Sequence, residues 1–65
     1  MERLAKVRID VNTLPTHVRE LLLMHSSGTW GMGDAEFHVV PVAVADMARR
    51  LGGVGFMGSE LARRP

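Results

Sequence analysis

Apolar and charged residues alternate near the start of the chain. From Ala5 to Val11 every second residue is apolar, and the residues between them are charged. A period of two is typical of a β-strand with one buried face. Three of the four apolar residues are β-branched, which favours a strand further. The pattern predicts a first strand over residues 5–11.

The period changes to three and four residues after Pro15, which suits the first turn of a helix because a helix needs no N–H there. One helical face is formed by apolar residues and one histidine: Leu14, Val18, Leu21, Leu22 and His25. The spacing predicts a first helix that ends near His25 or Ser26. Residues 26–34 contain three glycines, so we expect them to form a loop. We expect Trp30, in the middle of this loop, to cover the edge of the core.

Residues 35–44 combine strand and helix signals. Phe37, Val39 and Val40 favour a strand from about Glu36 to Val40, and Pro41 marks a strand end or a helix start. A second helix is predicted from Pro41 or Val42 to Gly52-Gly53, with its apolar stripe on Val44, Met47, Ala48 and Leu51. The pattern leaves open whether residues 36–44 are one long strand or a strand-to-helix junction.

The last part of the chain is predicted to be a short helix over Ser59–Arg64 or an irregular tail, and we expect fraying at residues 1–4 and 63–65. The element order is therefore strand, helix, strand, helix, then a short helix or tail. This order predicts a small α+β domain over residues 1–65 with a two-stranded sheet. Because two strands make a poor independent sheet, we expect a partner chain to complete or cover it.

Composition limits the possible functions. The chain has 65 residues, 46% of them hydrophobic, a net charge of +1 and no cysteine. A disulfide scaffold, a zinc ribbon and a thiol nucleophile are therefore excluded, and so is a polybasic binder held mainly by counterion release. A domain of this size buries only about 60% of the surface of its unfolded chain, so part of the apolar surface is expected to be buried between chains.

No targeting signal is visible in the sequence. Charges are scattered through the first eight residues, and the longest uncharged apolar run, residues 39–45, contains Pro41. A membrane-spanning helix needs about 20 apolar residues. These observations lead us to expect a cytoplasmic protein that does not bind membranes. Arginine outnumbers lysine seven to one, a bias that suggests a GC-rich genome such as that of an actinobacterium or a phage.

A glycine string at residues 53–58 matches the G-x-G-x-x-G pattern of dinucleotide sites. In such a site the string lies between a strand and a helix, and an acidic residue follows about 20 positions later. Here a predicted helix precedes the string, and only seven residues follow it. We therefore interpret these glycines as a hinge that ends the helix and expect no cofactor.

The three histidines are the main candidates for a metal site. His17 and His25 are eight residues apart, about 12 Å along a helix, which is too far for a shared metal ion. His38 with Asp34 or Glu36 could complete a set only through the fold. We expect polar surface roles for the histidines and no metal.

A nucleophilic site could be assembled from Ser26 or Ser27 beside His25, with Asp34 as the orienting acid. The sequence around these serines does not match a nucleophile elbow, and so short a chain seldom forms a catalytic pocket. We expect no catalytic residues and no enzyme activity.

Two binding hypotheses remain. In the first, a helix-turn-helix over residues 44–64 binds DNA and places basic side chains near phosphates: Arg49, Arg50, Arg63 and Arg64. In the second, which we favour, a small regulatory module binds another protein, and first a second copy of itself, through surplus apolar residues: Leu22, Leu23, Met24, Trp30, Met32, Phe56 and Met57.

Overall fold

A computed structural model describes residues 3–62 as four strands, two α-helices and one short 3-10 turn. In chain order these are β1 (Leu4–Asp10), α1 (Thr16–His25), β2 (Gly28–Met32), β3 (Ala35–Pro41), α2 (Val42–Gly52), the turn Gly53–Gly55, and β4 (Phe56–Ala62). The predicted α+β class is confirmed. The predicted two-stranded sheet is wrong, because the sheet has four strands.

The sheet is antiparallel throughout, with the strand order β2-β3-β1-β4. The central strand β1 pairs with β3 from Leu4↔Pro41 to Asp10↔Ala35, and on its other side with β4. Strands β1 and β2 run parallel but are separated by β3. This element order is the split β-α-β arrangement, so the first helix crosses over one intervening strand instead of joining two neighbours.

Both helices pack on one face of the sheet. Helix α1 lies against β3, α2 lies against β1, β3 and β4, and the two helices contact each other. The core between the layers consists of small and branched side chains: Ala5, Val7, Ile9, Leu14, Val18, Leu22, Val40, Ala45 and Ala48. Its strand members follow the predicted alternation, so Lys6 and Arg8 of β1 point to the opposite face.

Strand β2 corrects the predicted loop at residues 26–34. It is an edge strand whose residues pair with β3 from Gly28↔Val39 to Met32↔Ala35. Its two glycines weaken a strand signal, but the pairing with β3 outweighs that weakness. The expected position of Trp30 over the core edge is also wrong, because its ring packs on Phe37, directly opposite in the sheet and away from the core.

Strand β4 corrects the predicted C-terminal helix. Gly53 has φ +55°, which redirects the chain after α2, and residues 56–62 then fill the second edge of β1. The pairing is irregular between Arg8 and Ile9, which face Gly58 and Phe56 and leave Met57 as an extra residue. A recognition helix is therefore not formed within residues 44–62, and the helix-turn-helix interpretation is wrong.

The two remaining boundaries are settled by the backbone. Pro41 ends β3 and α2 begins at Val42, so residues 36–44 are a strand-to-helix junction. The segment after Gly52 is regular as far as Ala62. Fraying over residues 1–4 does not hold for Leu4, which lies in β1 and is 8% exposed. Residues 1, 2 and 63–65 are outside the described part of the chain.

Candidate functional site

The face of the sheet opposite the helices is uncovered within residues 3–62. Because Val7 and Ile9 of β1 point into the core, alternation places Lys6 and Arg8 on this open face. The register then adds Phe37, which pairs with Arg8, and Trp30, which pairs with Phe37. The open face thus carries two basic side chains on its central strand and two aromatic side chains beside them.

Trp30 and Phe37 form a stacked pair. Their ring centroids are 5.4 Å apart and their planes differ by 10°, an arrangement that aromatic pairs favour. Trp30 remains 42% exposed. A large aromatic pair of this kind stiffens the β2–β3 edge and also offers apolar surface to a ligand or partner.

A groove of about 450 Å³ lies on the open face between β3, β1 and β4. Its walls are Lys6, Arg8, Phe37 and residues 57–60. Lys6 Nζ lies 2.7 Å from Glu60 Oε1, and this hydrogen bond, aided by the charges of Lys6 and Arg8, lowers the pKa of Glu60 below its ordinary value. Within residues 3–62, Arg8 makes no ion pair, so the groove holds one cation that a carboxylate does not neutralise directly.

A polar network that extends from a buried histidine to the surface lies on the helix side of the same strands. His38 is fully buried; its Nε2 lies 2.7 Å from Glu36 Oε1 and its Nδ1 lies 3.3 Å from Thr29 Oγ1. Thr29 Oγ1 is 2.9 Å from Ser26 Oγ, whose hydroxyl donates to the Gly28 carbonyl oxygen at 2.6 Å. The network joins β3, β2 and the end of α1.

Two hydrogen bonds of this network have a fixed direction. The Ser26 hydroxyl donates to the Gly28 carbonyl oxygen, and His38 Nε2 donates to Glu36 because an ionised carboxylate can only accept. Between them, Thr29 Oγ1 contacts both Ser26 Oγ and His38 Nδ1, so the threonine hydroxyl links the edge strand β2 to the buried imidazole.

Glu36 also anchors α1. Arg19 Nε and Nη2 donate to the two carboxylate oxygens of Glu36 at 3.2 and 3.0 Å. These hydrogen bonds lower the pKa of Glu36 below its ordinary value of 4.5; partial burial opposes the shift, and the hydrogen bond to His38 supports it. The carboxylate therefore stays ionised between a guanidinium and an imidazole.

The apolar residues predicted to form an interface do not lie together. Leu22 is fully buried in the core, which corrects its predicted surface role, and half-buried Phe56 packs against that core. Met57 lines the groove beside β4. The other four are exposed, two near the end of α1 and two on the edge strand β2 that follows it: Leu23, Met24, Trp30 and Met32. We call these four residues the β2 flank.

The basic residues predicted to contact nucleic acid are dispersed. Arg49 and Arg50 are exposed in the last turn of α2, where cations favourably face the negative end of the helix dipole. Arg49 also lies 3.5 Å from Asp46. The remaining two, Arg63 and Arg64, are outside the described residues. The residues that do line the groove, Lys6 and Arg8, were visible in the alternation of β1. The position of Phe37 beside Arg8 became evident only from the β1–β3 register, and that of Trp30 only with β2.

The described chain contains neither a metal-binding cluster nor a spanning helix. In residues 3–62, no three histidine, aspartate or glutamate side chains converge as metal ligands. His17 and His25 are exposed, and Ser26 bonds to Gly28 and Thr29. Both α1 and α2 are too short to cross a bilayer.

A scan of family models found no match to the chain, and searches of curated proteins and of solved structures found none either.

Proposed function

We propose that this protein is a non-enzymatic interaction module that self-associates through the β2 flank. The observation that supports this proposal is that the edge strand β2 lacks the residues that usually prevent pairing with another chain. Residues 28–32 contain no charged residue and no proline, and in the described chain they pair with β3 alone. Sheet edges usually carry such residues to prevent pairing with another chain, and this edge lacks them.

The apolar side chains of the flank support the same proposal. Trp30 is 42% exposed and Met32 is 71% exposed. Leu23 and Met24, at the end of α1, are exposed just before the chain enters β2. Methionine and tryptophan are adaptable and energetically strong interface residues, so the flank can pack against apolar surface as well as pair its backbone.

A second copy of the chain is the partner that fits this edge best. Two antiparallel β2 strands related by a two-fold axis would bring the same patch from each copy together. The result is one sheet of eight strands, four from each copy. The pairing satisfies backbone groups at the exposed edge and buries the two Met32 side chains against the partner. We propose no cofactor for this role, and we retain a cytoplasmic setting as a proposal from the sequence.

The test is the Met32→Lys variant in sedimentation-velocity and light-scattering measurements across protein concentration. Met32 is 71% exposed, so the fold should tolerate the change, whereas a lysine on an edge strand opposes pairing of that edge with another chain. We expect the dimer dissociation constant to rise at least about tenfold, which corresponds to about 1.4 kcal/mol. Circular dichroism should be unchanged.

The matched control is Met47→Lys on α2, where the methionine is 50% exposed and distant in topology from β2. This variant should dimerise like the unmodified protein. A chain that remains monomeric at all concentrations, or a dimer weakened by Met47→Lys and not by Met32→Lys, would contradict the proposal.

A further inference from the structure

We propose that the groove on the open face binds single-stranded nucleic acid, with a base stacked beside Phe37 and a phosphate at Arg8. The groove lies between β3, β1 and β4, away from the β2 edge. This binding site therefore goes beyond the proposed self-association and does not require it.

The stacking surface is the first argument. Phe37 contacts Trp30 through one ring face, and the same phenylalanine lines the groove. Bases of single strands stack on aromatic side chains exposed on sheets and in grooves, and the interaction tolerates any base. The groove volume of about 450 Å³ is in the range of about 300–1,000 Å³ that small ligands occupy.

The charges of the groove are the second argument. Arg8 pairs with Phe37 across the sheet, so a guanidinium lies next to the stacking surface, where a phosphate linked to a stacked base would be. Glu60 would repel a phosphate, but Lys6 lies 2.7 Å away and offsets its charge. The lowered pKa of Glu60 keeps it ionised, and an ionised carboxylate can accept a hydrogen bond from an N–H on the edge of an unpaired base, such as thymine N3–H.

The shape of the site favours a single strand over a duplex. The open face is a sheet surface, and its aromatic groups can stack only on bases that are not already stacked in a double helix. With two cations in the groove, one of them paired to Glu60, few phosphates are neutralised. We therefore expect a shallow salt dependence, with a slope of log K against log salt between about −0.7 and −1.4.

The experiment is fluorescence anisotropy of a labelled oligothymidylate of 12 nucleotides, titrated with the whole chain at several salt concentrations. We expect saturable binding with the slope given above. Arg8→Gln and Phe37→Leu should each weaken binding at least about fivefold, because each removes one of the two contacts. The control Arg49→Gln removes an exposed cation of α2 and should change binding less than twofold.

Two competitors distinguish the ligand classes. A 12-base-pair duplex and free thymidine monophosphate should each compete at least tenfold more weakly than the unlabelled single strand. The assignment is overturned by absence of binding at low salt, by equal competition from duplex or mononucleotide, or by equal effects of Arg8→Gln and Arg49→Gln. Because self-association is measured separately with Met32→Lys, failure of one proposal is distinguishable from failure of the other.

Discussion

The His38 side chain has no exposed surface, yet both of its ring nitrogens have polar partners. Burial of a polar group without such partners costs about 1–3 kcal/mol, so the imidazole stabilises the fold only while Glu36 and Thr29 remain in place. Among residues 3–62, no buried side-chain nitrogen or oxygen lacks a partner. The histidine therefore adds a side-chain link, through Thr29, to the backbone pairing of β2 with β3.

Thr29→Val tests this role. The valine has nearly the shape of threonine but removes the hydroxyl between His38 and Ser26, which leaves the buried Nδ1 of His38 without its hydrogen-bond partner. We expect the free energy of unfolding to fall by about 1–3 kcal/mol, measured by urea denaturation. Thr13→Val, in the exposed turn after β1, is the control and should change it by less than about 0.5 kcal/mol. Equal effects of the two variants would show that the network contributes nothing.

Protonation of Glu36 should make the free energy of unfolding depend on pH in the acid range. Because Arg19 and, to a smaller extent, His38 lower the pKa of Glu36 below 4.5, the contacts of the ionised carboxylate stabilise the folded chain fully above the unfolded pKa. That contribution is lost as pH falls through the lowered folded pKa. In Glu36→Gln, urea denaturation should show a smaller loss of stability between pH 5 and about pH 3 than in the unmodified protein. Glu20→Gln, on the exposed side of α1, should retain the full loss; an unchanged profile in Glu36→Gln would refute the role of the carboxylate.

At the scale of elements, periodicity was sufficient for β1, α1 and α2, whereas β3 was predicted from its strand-favouring residues and its junction with α2 was left open. Each of these has a clear face: the alternation from Ala5 to Ile9 matches the buried positions of β1, and Val18 and Leu22 form the buried stripe of α1. Burial on one side only produces such a pattern because the other side must meet water. These four elements could therefore be predicted from sequence.

The two edge strands could not be predicted in the same way. In β2, all residues except Gly28 are exposed, so no alternation of buried and exposed positions is imposed on the sequence. In β4, the extra residue Met57 interrupts the period of two, and Gly58 has φ +142°. Both segments become strands because β3 and β1 offer them backbone partners, which is tertiary information.

The joint between α2 and β4 depends on close contact at Gly55. A Cβ atom there would lie 2.5 Å from Leu14 Cα and 2.6 Å from its backbone nitrogen, and a backbone cannot move aside as a flexible side chain can. Gly55→Ala should therefore lower the free energy of unfolding by about 1–3 kcal/mol, measured by thermal and urea denaturation. Gly31→Ala is the control, because a Cβ atom at Gly31 would lie 3.8 Å from the nearest atom, the Ala35 carbonyl oxygen. This variant should change the free energy of unfolding by less than about 1 kcal/mol. Similar values for the two variants would show that the contact at Leu14 is unimportant.

At the scale of the whole molecule, a four-stranded sheet buries more apolar side chains than the two-stranded sheet predicted from the sequence. The core still consists mainly of alanine and valine with few large side chains. Several large apolar residues remain at least 40% exposed on both layers, including Met24, Met47 and Val54. Surplus apolar surface, which the composition indicated, is therefore present, although Leu22 and Phe56 are not part of it.

The location of the two proposed binding surfaces is a property of the whole molecule. Arg8 and Phe37 are 29 positions apart in the sequence and become neighbours only through the β1–β3 register. The sequence could indicate which residues were basic or aromatic, but their combination required the strand order. The same applies to the β2 flank. Because β3 and not β2 lies beside β1, β2 is at the edge of the sheet and has a neighbouring strand on one side only.

The central position of β1 has a consequence for synthesis of the protein. This strand is made first among the described elements, yet its two neighbours are residues 35–41 and 56–62. Strand pairings over such long sequence separations form slowly, and until they form, an unpaired strand edge can pair with another chain. One side of β1 stays unpaired until residues 56–62 are available, so we expect the newly made chain to be most prone to aggregation in that interval.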